Sequence, residues 1–392
     1  VLYDDEVATY GTVARDRLTE TEKNLYDDLK SRISVIAEKG GSTEFAFTAG
    51  TYSYSTLADL EKEVKAVLQA LLSDCPYEFY WYDKTSTGGM SYAYIPTSNS
   101  LTNIYFTVAG AYRASDTTNA YVVDFAKATT AANVKTKANN IVATYKGLSD
   151  YERLKGYKDE ICNLVSYNHA AADKDYKDGY GDPWQLIYVF DENPDTNVVC
   201  EGYAKAFQYL CDLDGSLKCY IVTGTMNGGT GAGGHMWNVV TLGGNNYIVD
   251  VTNCDEGNTT GSYSVGWQYK LFLAGAVENV PGKQYTAQFE NFGKMQNVIY
   301  AYDPETISTY SPEELKIASS NYEPKVQKPV TADMITIADG NSTTSVYDGN
   351  ARTVNISIDS ANYTLTIKKD GVETEEIKKV GEYKITLTGQ ND

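Results

Sequence analysis

Three short blocks decide how this chain is read: VVCEGYAKAF at 198–207, GGHMWNVV at 233–240 and NYIVDVT at 246–252. After the cysteine of the first block, Ala204, Phe207, Leu210 and Cys211 recur at helical spacing, which predicts a helix with Cys200 in its first turn. Unpaired amides and the positive dipole end of such a turn favour a thiolate, and the same amides can hold an oxyanion. Gly202 is expected to leave room there for a substrate.

His235 opens HMWNVV, which alternates as a strand, and LGGN turns the chain into a second strand, NYIVDVT. A two-residue turn at Gly243-Gly244 sets Leu242 opposite Asn245, and by extension Trp237 opposite Asp250 and His235 opposite Thr252. His235 and Asp250 then become diagonal neighbours on one face, about 7–8 Å apart at Cα. An odd-length loop would put them on opposite faces unless a bulge restored the register. The chain order Cys200, His235, Asp250 is that of a nucleophile, a base and an orienting carboxylate. Trp237 and Asn238, beside the base, are candidates to line an acyl site. The plainer readings are a buried cysteine that happens to begin a helix and a core histidine satisfied by backbone.

Composition narrows what surrounds these blocks. At 392 residues, two or three domains are expected, and the 42% apolar fraction is enough for several cores. A net charge of −19 argues against nucleic acid and anionic membrane surfaces as partners. No apolar run is long enough for a transmembrane helix, and the opening VLYDDEVATY is not a charged-then-apolar leader. The six cysteines (Cys75, Cys162, Cys200, Cys211, Cys219, Cys254) form no C-x-x-C pair, and the two histidines, His169 and His235, lie far apart. No metal and no cofactor are therefore expected. With 34 tyrosines against 10 phenylalanines, many faces should be half-buried, and the Thr/Ser/Asn/Tyr-rich surface leans extracellular.

Periodicity predicts helices over 12–38, from Thr56 (capping, with Asp59 three residues on), over about 131–145 and from Ser149. YEFYWY (77–82), SYAYI and TNIYFTVAGAY read as strands, giving an α+β amino-terminal domain over 1–125. NYEPKVQKPV at 321–330 reads as a linker, after which short alternating runs with regular turn signals predict an all-β sandwich over 331–392. Gly229–Gly234 matches G-x-G-x-x-G, but a strand and not a helix follows, so a mobile loop beside the base is expected instead of a dinucleotide site. The acidic stretch Asp173–Asp182 fails the EF-hand pattern at Lys177 and Trp184. His169 reads as a surface or helix-end residue.

VCEGYAKAF, HMWNVV and IVDVT together resemble the three sequence blocks of the transglutaminase-like (papain-like) superfamily, with Cys200, His235 and Asp250 in the positions of its triad. The approach to the nucleophile, a helix ending in VSYN (Val165 to Asn168), is also similar. The resemblance covers about 150–320. It implies a papain-like α+β core over 126–325, in which a nucleophile helix packs on an antiparallel sheet, and acyl-thioester chemistry on protein or peptide amides. More loosely, CPYEFYWYD resembles a segment preceding such domains in bacterial surface proteins, and the tail resembles bacterial immunoglobulin-like modules. The expectation is a secreted or surface-attached bacterial cysteine enzyme, a peptidase, amidase or transamidase acting on cell-wall or host proteins. Hydrolysis is favoured over cross-linking because no calcium-site pattern is visible. The alternative is a catalytically silent adhesion or binding protein that uses the core as a scaffold.

Overall fold

A computed structural model describes residues 11–84, 89–114, 119–172, 184–228, 231–255, 271–291, 294–324, 335–337, 354–356, 363–374, 377 and 383–389. Helices and strands are mixed along the chain and the ladders between strands are antiparallel, so the protein is α+β. It divides into two units, residues 1–148 with 152–322, and residues 149–151 with 323–392.

The first long helix, Glu20–Lys39, starts later than its periodicity suggested. Thr19 and Glu22 form a capping box, in which the Thr19 amide donates to Glu22 at 2.7 Å and the Glu22 amide donates to Thr19 Oγ1 at 3.4 Å. Upstream, Arg15–Arg17 is a separate 3-10 turn anchored on Asp74, whose carboxylate accepts the Ala14 amide at 3.0 Å and the Arg15 amide at 2.8 Å. Leu25, Leu29 and Ile33 bury their side chains where this helix meets Leu57–Asp74, which contributes Leu60, Val64 and Leu71. Each such side chain supplies about 1.5–3 kcal/mol relative to exposure.

YEFYWY is not a strand. Tyr77, Phe79, Tyr80 and Trp81 are all buried within a run of turns, whereas a half-buried strand hides only alternate residues. Phe79 and Trp81 pack on Phe106 of the strand Ser100–Phe106, at 5.3 and 6.2 Å between ring centroids. Tyr77 stacks on Tyr209 of the Cys200 helix at 5.0 Å. Ser100–Phe106 is the middle strand of a three-stranded sheet with Glu44–Ala46 and Met90–Ile95. The next helix, Phe125–Tyr145, begins at an Asp124 cap that accepts the Ala126 and Lys127 amides at 2.8 and 3.2 Å. Residues on both sides of position 125 lie in the same compact unit.

A six-stranded antiparallel sheet carries the region of interest, in the order Asn245–Val249, Gly231–Leu242, Lys218–Gly228, Lys294–Tyr302, Gln284–Asn291, Val277–Val280. The helix Cys200–Asp214 packs on its second and third strands. Asn238 Nδ2 donates to the Ala204 carbonyl at 3.0 Å, and the Ile221 amide donates to Gln208 Oε1 at 2.7 Å. Leu242 pairs with Asn245 and Asn238 with Val249, the register that a two-residue turn requires. Gly243 and Gly244 both take positive φ, +57° and +78°, as a type I′ turn demands.

In the second unit, Ile335–Ile337 pairs with Val354–Ile356, and Tyr363–Lys369 lies between Val372–Glu373 and Tyr383–Gly389.

Candidate active site

The Cys200 helix starts from Val199, whose side chain has no group to cap it, so the first-turn amides are left without a side-chain acceptor. Cys200 is the first helical residue and is partly accessible. The entry to the helix is fixed from behind. Val198 bridges Tyr167 and accepts the Asn168 amide at 2.9 Å, which sets the VSYN stretch alongside the approach to Cys200.

Glu201 follows the cysteine and is held by two lysines, Lys205 at 2.9 Å and Lys84 from the amino-terminal region. Burial alone would raise the Glu201 carboxyl, but the lysines outweigh it and push it down to about 2. Lys205 lies one turn along the same helix, so Lys84 is the partner that ties this first turn to the amino-terminal region.

His235 projects from the second strand of the sheet, and Nε2 lies 2.9 Å from Asp250 Oδ2. The Cys200 side chain is close enough to the imidazole to act on it and to favour its charged form. Trp237 stacks on the ring at 5.9 Å and 16°, and Tyr300 and Tyr302 in turn pack on Trp237 at 4.9 and 5.6 Å. Burial pulls the imidazole toward its neutral form, yet the Asp250 charge and the bonds to Asp250 and Cys200 prevail and raise it to about 10.

Asp250 does not continue the strand. It caps the short helix Val251–Cys254, accepting the Asn253 amide at 3.2 Å on Oδ1. Its Oδ2 accepts His235, the Tyr300 hydroxyl at 2.7 Å and Asn253 Nδ2 at 2.6 Å. Complete burial favours a neutral acid, but the imidazole and these donors hold the carboxyl below its usual range. Imidazole and carboxylate are thus directly hydrogen-bonded, with Cys200 beside the ring at a helix amino terminus.

No family model matches the chain, and no curated protein matches it. Among solved structures, one described as "Crystal structure of a TGase" is similar at 19% identity and a TM-score of 0.28, over 47% of this chain and 50% of that one. This chain spans about half the length of that structure.

The remaining sequence candidates fall differently. Trp237 is buried beneath the imidazole, where it orients the ring. Asn238 is fully buried and faces the Cys200 helix, to which it donates, so it braces helix on sheet and lines no open cleft. Gly202 accommodates Val198: a Cβ there would come within 2.5 Å of the valine Cβ. The space it keeps open is taken by the chain itself. His169 is exposed and meets the edge of Tyr167. The glycine-rich stretch is no loop where it is described, since Gly231–Gly234 pair with Thr225–Gly228 in the ladder. Asp173–Asp182 lie outside the described residues.

Two groups of the site went unread in the sequence. Asn253 stands three residues after Asp250, the spacing of a helix cap, and that signal was available. Tyr300 lies 50 residues away on another strand, and no local pattern points to it.

Proposed function

We propose that the chain is a cysteine-dependent acyl-transfer enzyme of the transglutaminase-like type, acting on protein or peptide amides with Cys200, His235 and Asp250 as its catalytic triad. The observation that carries this reading is the His235 imidazole, hydrogen-bonded to Asp250 through Nε2 at 2.9 Å and raised by its interactions with both Asp250 and Cys200. His235 already carries the thiol's proton, as its raised pKa favours, when the sulfur attacks the amide carbonyl. First-turn amides of the helix face the oxygen as it gains charge. The carbon–nitrogen bond breaks, the imidazolium returns the proton to the departing nitrogen, and a thioester remains on Cys200. Water completes hydrolysis, or an amine completes transamidation, with His235 again taking the incoming proton. Asp250 stays ionised throughout and holds the imidazole in its reactive tautomer.

On this reading residues 126–325 form a papain-like core and the strands of 331–392 an immunoglobulin-like module. A secreted or surface-attached bacterial protein is the setting the resemblance implies, and the Thr/Ser/Asn/Tyr-rich composition leans the same way toward an extracellular one. The test is incubation of the whole chain with wall-derived and host-type peptides, with and without a primary amine, and identification of products by mass. Chain cleavage, or ammonia release without amine incorporation, supports hydrolysis, and ammonia release with amine incorporation supports transamidation. If no product forms with wild-type protein, or the same products form with Cys200→Ala, the adhesion or binding scaffold is the better account.

A further inference from the structure

At the other end of the Cys200 helix lies a cavity of about 350 Å³, between that helix and the amino-terminal helices. Asp74, Glu78 and Asp212 line it, together with Tyr77 and Tyr209. Asp74 is fully engaged by the Ala14 and Arg15 amides and the Tyr26 hydroxyl. Asp212 is not: its Oδ1 is buried without a hydrogen-bond partner, and so is the hydroxyl of Tyr209, a residue only 6% exposed. Buried polar atoms of this kind call for an occupant. Tyr77 and Tyr209 stack at 5.0 Å and 9°, presenting aromatic surface that suits a cation.

Charge says which occupant. The other titratable groups lining the cavity are Lys30 and Glu38 of the first helix and Lys135 of Phe125–Tyr145. Lys135 pairs with Glu38 at 2.8 Å, which leaves three carboxylates facing Lys30, an excess of two negative charges when all are ionised. Among the described residues, no group of three or more His, Cys, Asp or Glu is placed to hold a metal ion. From these residues we infer that the cavity binds a small aliphatic diammonium, with one ammonium donating to Asp212 Oδ1 and Tyr209 Oη. The carboxyls agree in direction. Burial, then the neighbouring Asp74 and Glu78, push Asp212 well up, and burial raises Glu78 and lifts Asp74 to about 6. Without a cation the cavity keeps protons, and a cation displaces them.

The probe is 1,4-diaminobutane, titrated calorimetrically into the full chain at pH 6, 7 and 8, with 1,4-butanediol and calcium chloride as controls. Saturable one-to-one binding is expected, with proton release seen as a dependence of the heat on buffer. Affinity should tighten by up to about tenfold per pH unit while one proton is displaced. Asp212→Asn should abolish binding. Should that variant not fold, Tyr209→Phe, which keeps the ring, should weaken it severalfold. No saturable binding, equal binding of butanediol, tighter binding of calcium, or unchanged affinity in both variants would overturn the assignment.

Discussion

The two ends of one helix treat a buried carboxylate in opposite ways. At the amino-terminal end Asp250 meets His235, Tyr300 and Asn253, and its carboxyl is held below the ordinary range despite complete burial. At the carboxy-terminal end Asp212 has one oxygen without a partner, and its carboxyl is driven well above that range. Burial is common to both; the partners decide the sign. One carboxylate has donors for both oxygens, and the other keeps an oxygen without a partner.

The sharpest way to break this contrast is to remove the charge at the amino-terminal end. Asp250→Asn should lower turnover on the order of 10³–10⁴-fold, as expected when an imidazole loses its orienting carboxylate. His235, raised from 6.5 to about 10, stays protonated until pH climbs through that value. In the Asn variant the deprotonation limb of a pH–rate profile should fall toward neutrality, and an unmoved limb would deny Asp250 its role.

Tyr300→Phe removes one donor to Asp250 and should cost about 1.5–3 kcal/mol in urea unfolding, the range for a hydrogen bond to a buried charge. Asp250 stays ionised in this variant and leans harder on the imidazole, so the same limb should not fall as it does in Asp250→Asn. Gly202→Ala forces its new methyl against Val198 and should destabilise by about 1–3 kcal/mol. Unchanged stability there would return Gly202 to the substrate side.

The smallest effect should come from the opposite end. Asp212 has a folded pKa above its unfolded value, so its favourable contribution is complete below about pH 4. That contribution is lost as pH rises toward the folded value. Asp212→Asn should therefore stabilise the unliganded protein on the order of 1 kcal/mol above pH 6 and leave it unchanged near pH 4. Thermal melts across that range measure it.

Much of the site was legible because it is local. Helical spacing after Cys200 located the first turn that holds it, and the glycine pair at 243–244 set the register of the two strands that bring His235 within reach of Asp250. The strand reading stopped being valid at Asp250, where the chain changes period and the aspartate becomes a helix cap. YEFYWY misled for a related reason: a run of aromatics satisfies an alternating pattern and equally an all-buried turn, and only Phe106 and Tyr209 across the fold decide between them. Tyr300, the lysine clamp on Glu201 and the Asp212 cavity are assembled from distant segments, so no window of sequence contains them.

The central claim is that His235 activates Cys200, and site-resolved labelling tests it most directly. Native protein is treated with a thiol-directed acylating probe, the labelled peptide is mapped by mass, and the rate is compared with that of His235→Ala. The account predicts fast labelling confined to Cys200, lost in Cys200→Ala and strongly slowed in His235→Ala. Labelling that survives Cys200→Ala, or a rate indifferent to His235, would contradict it.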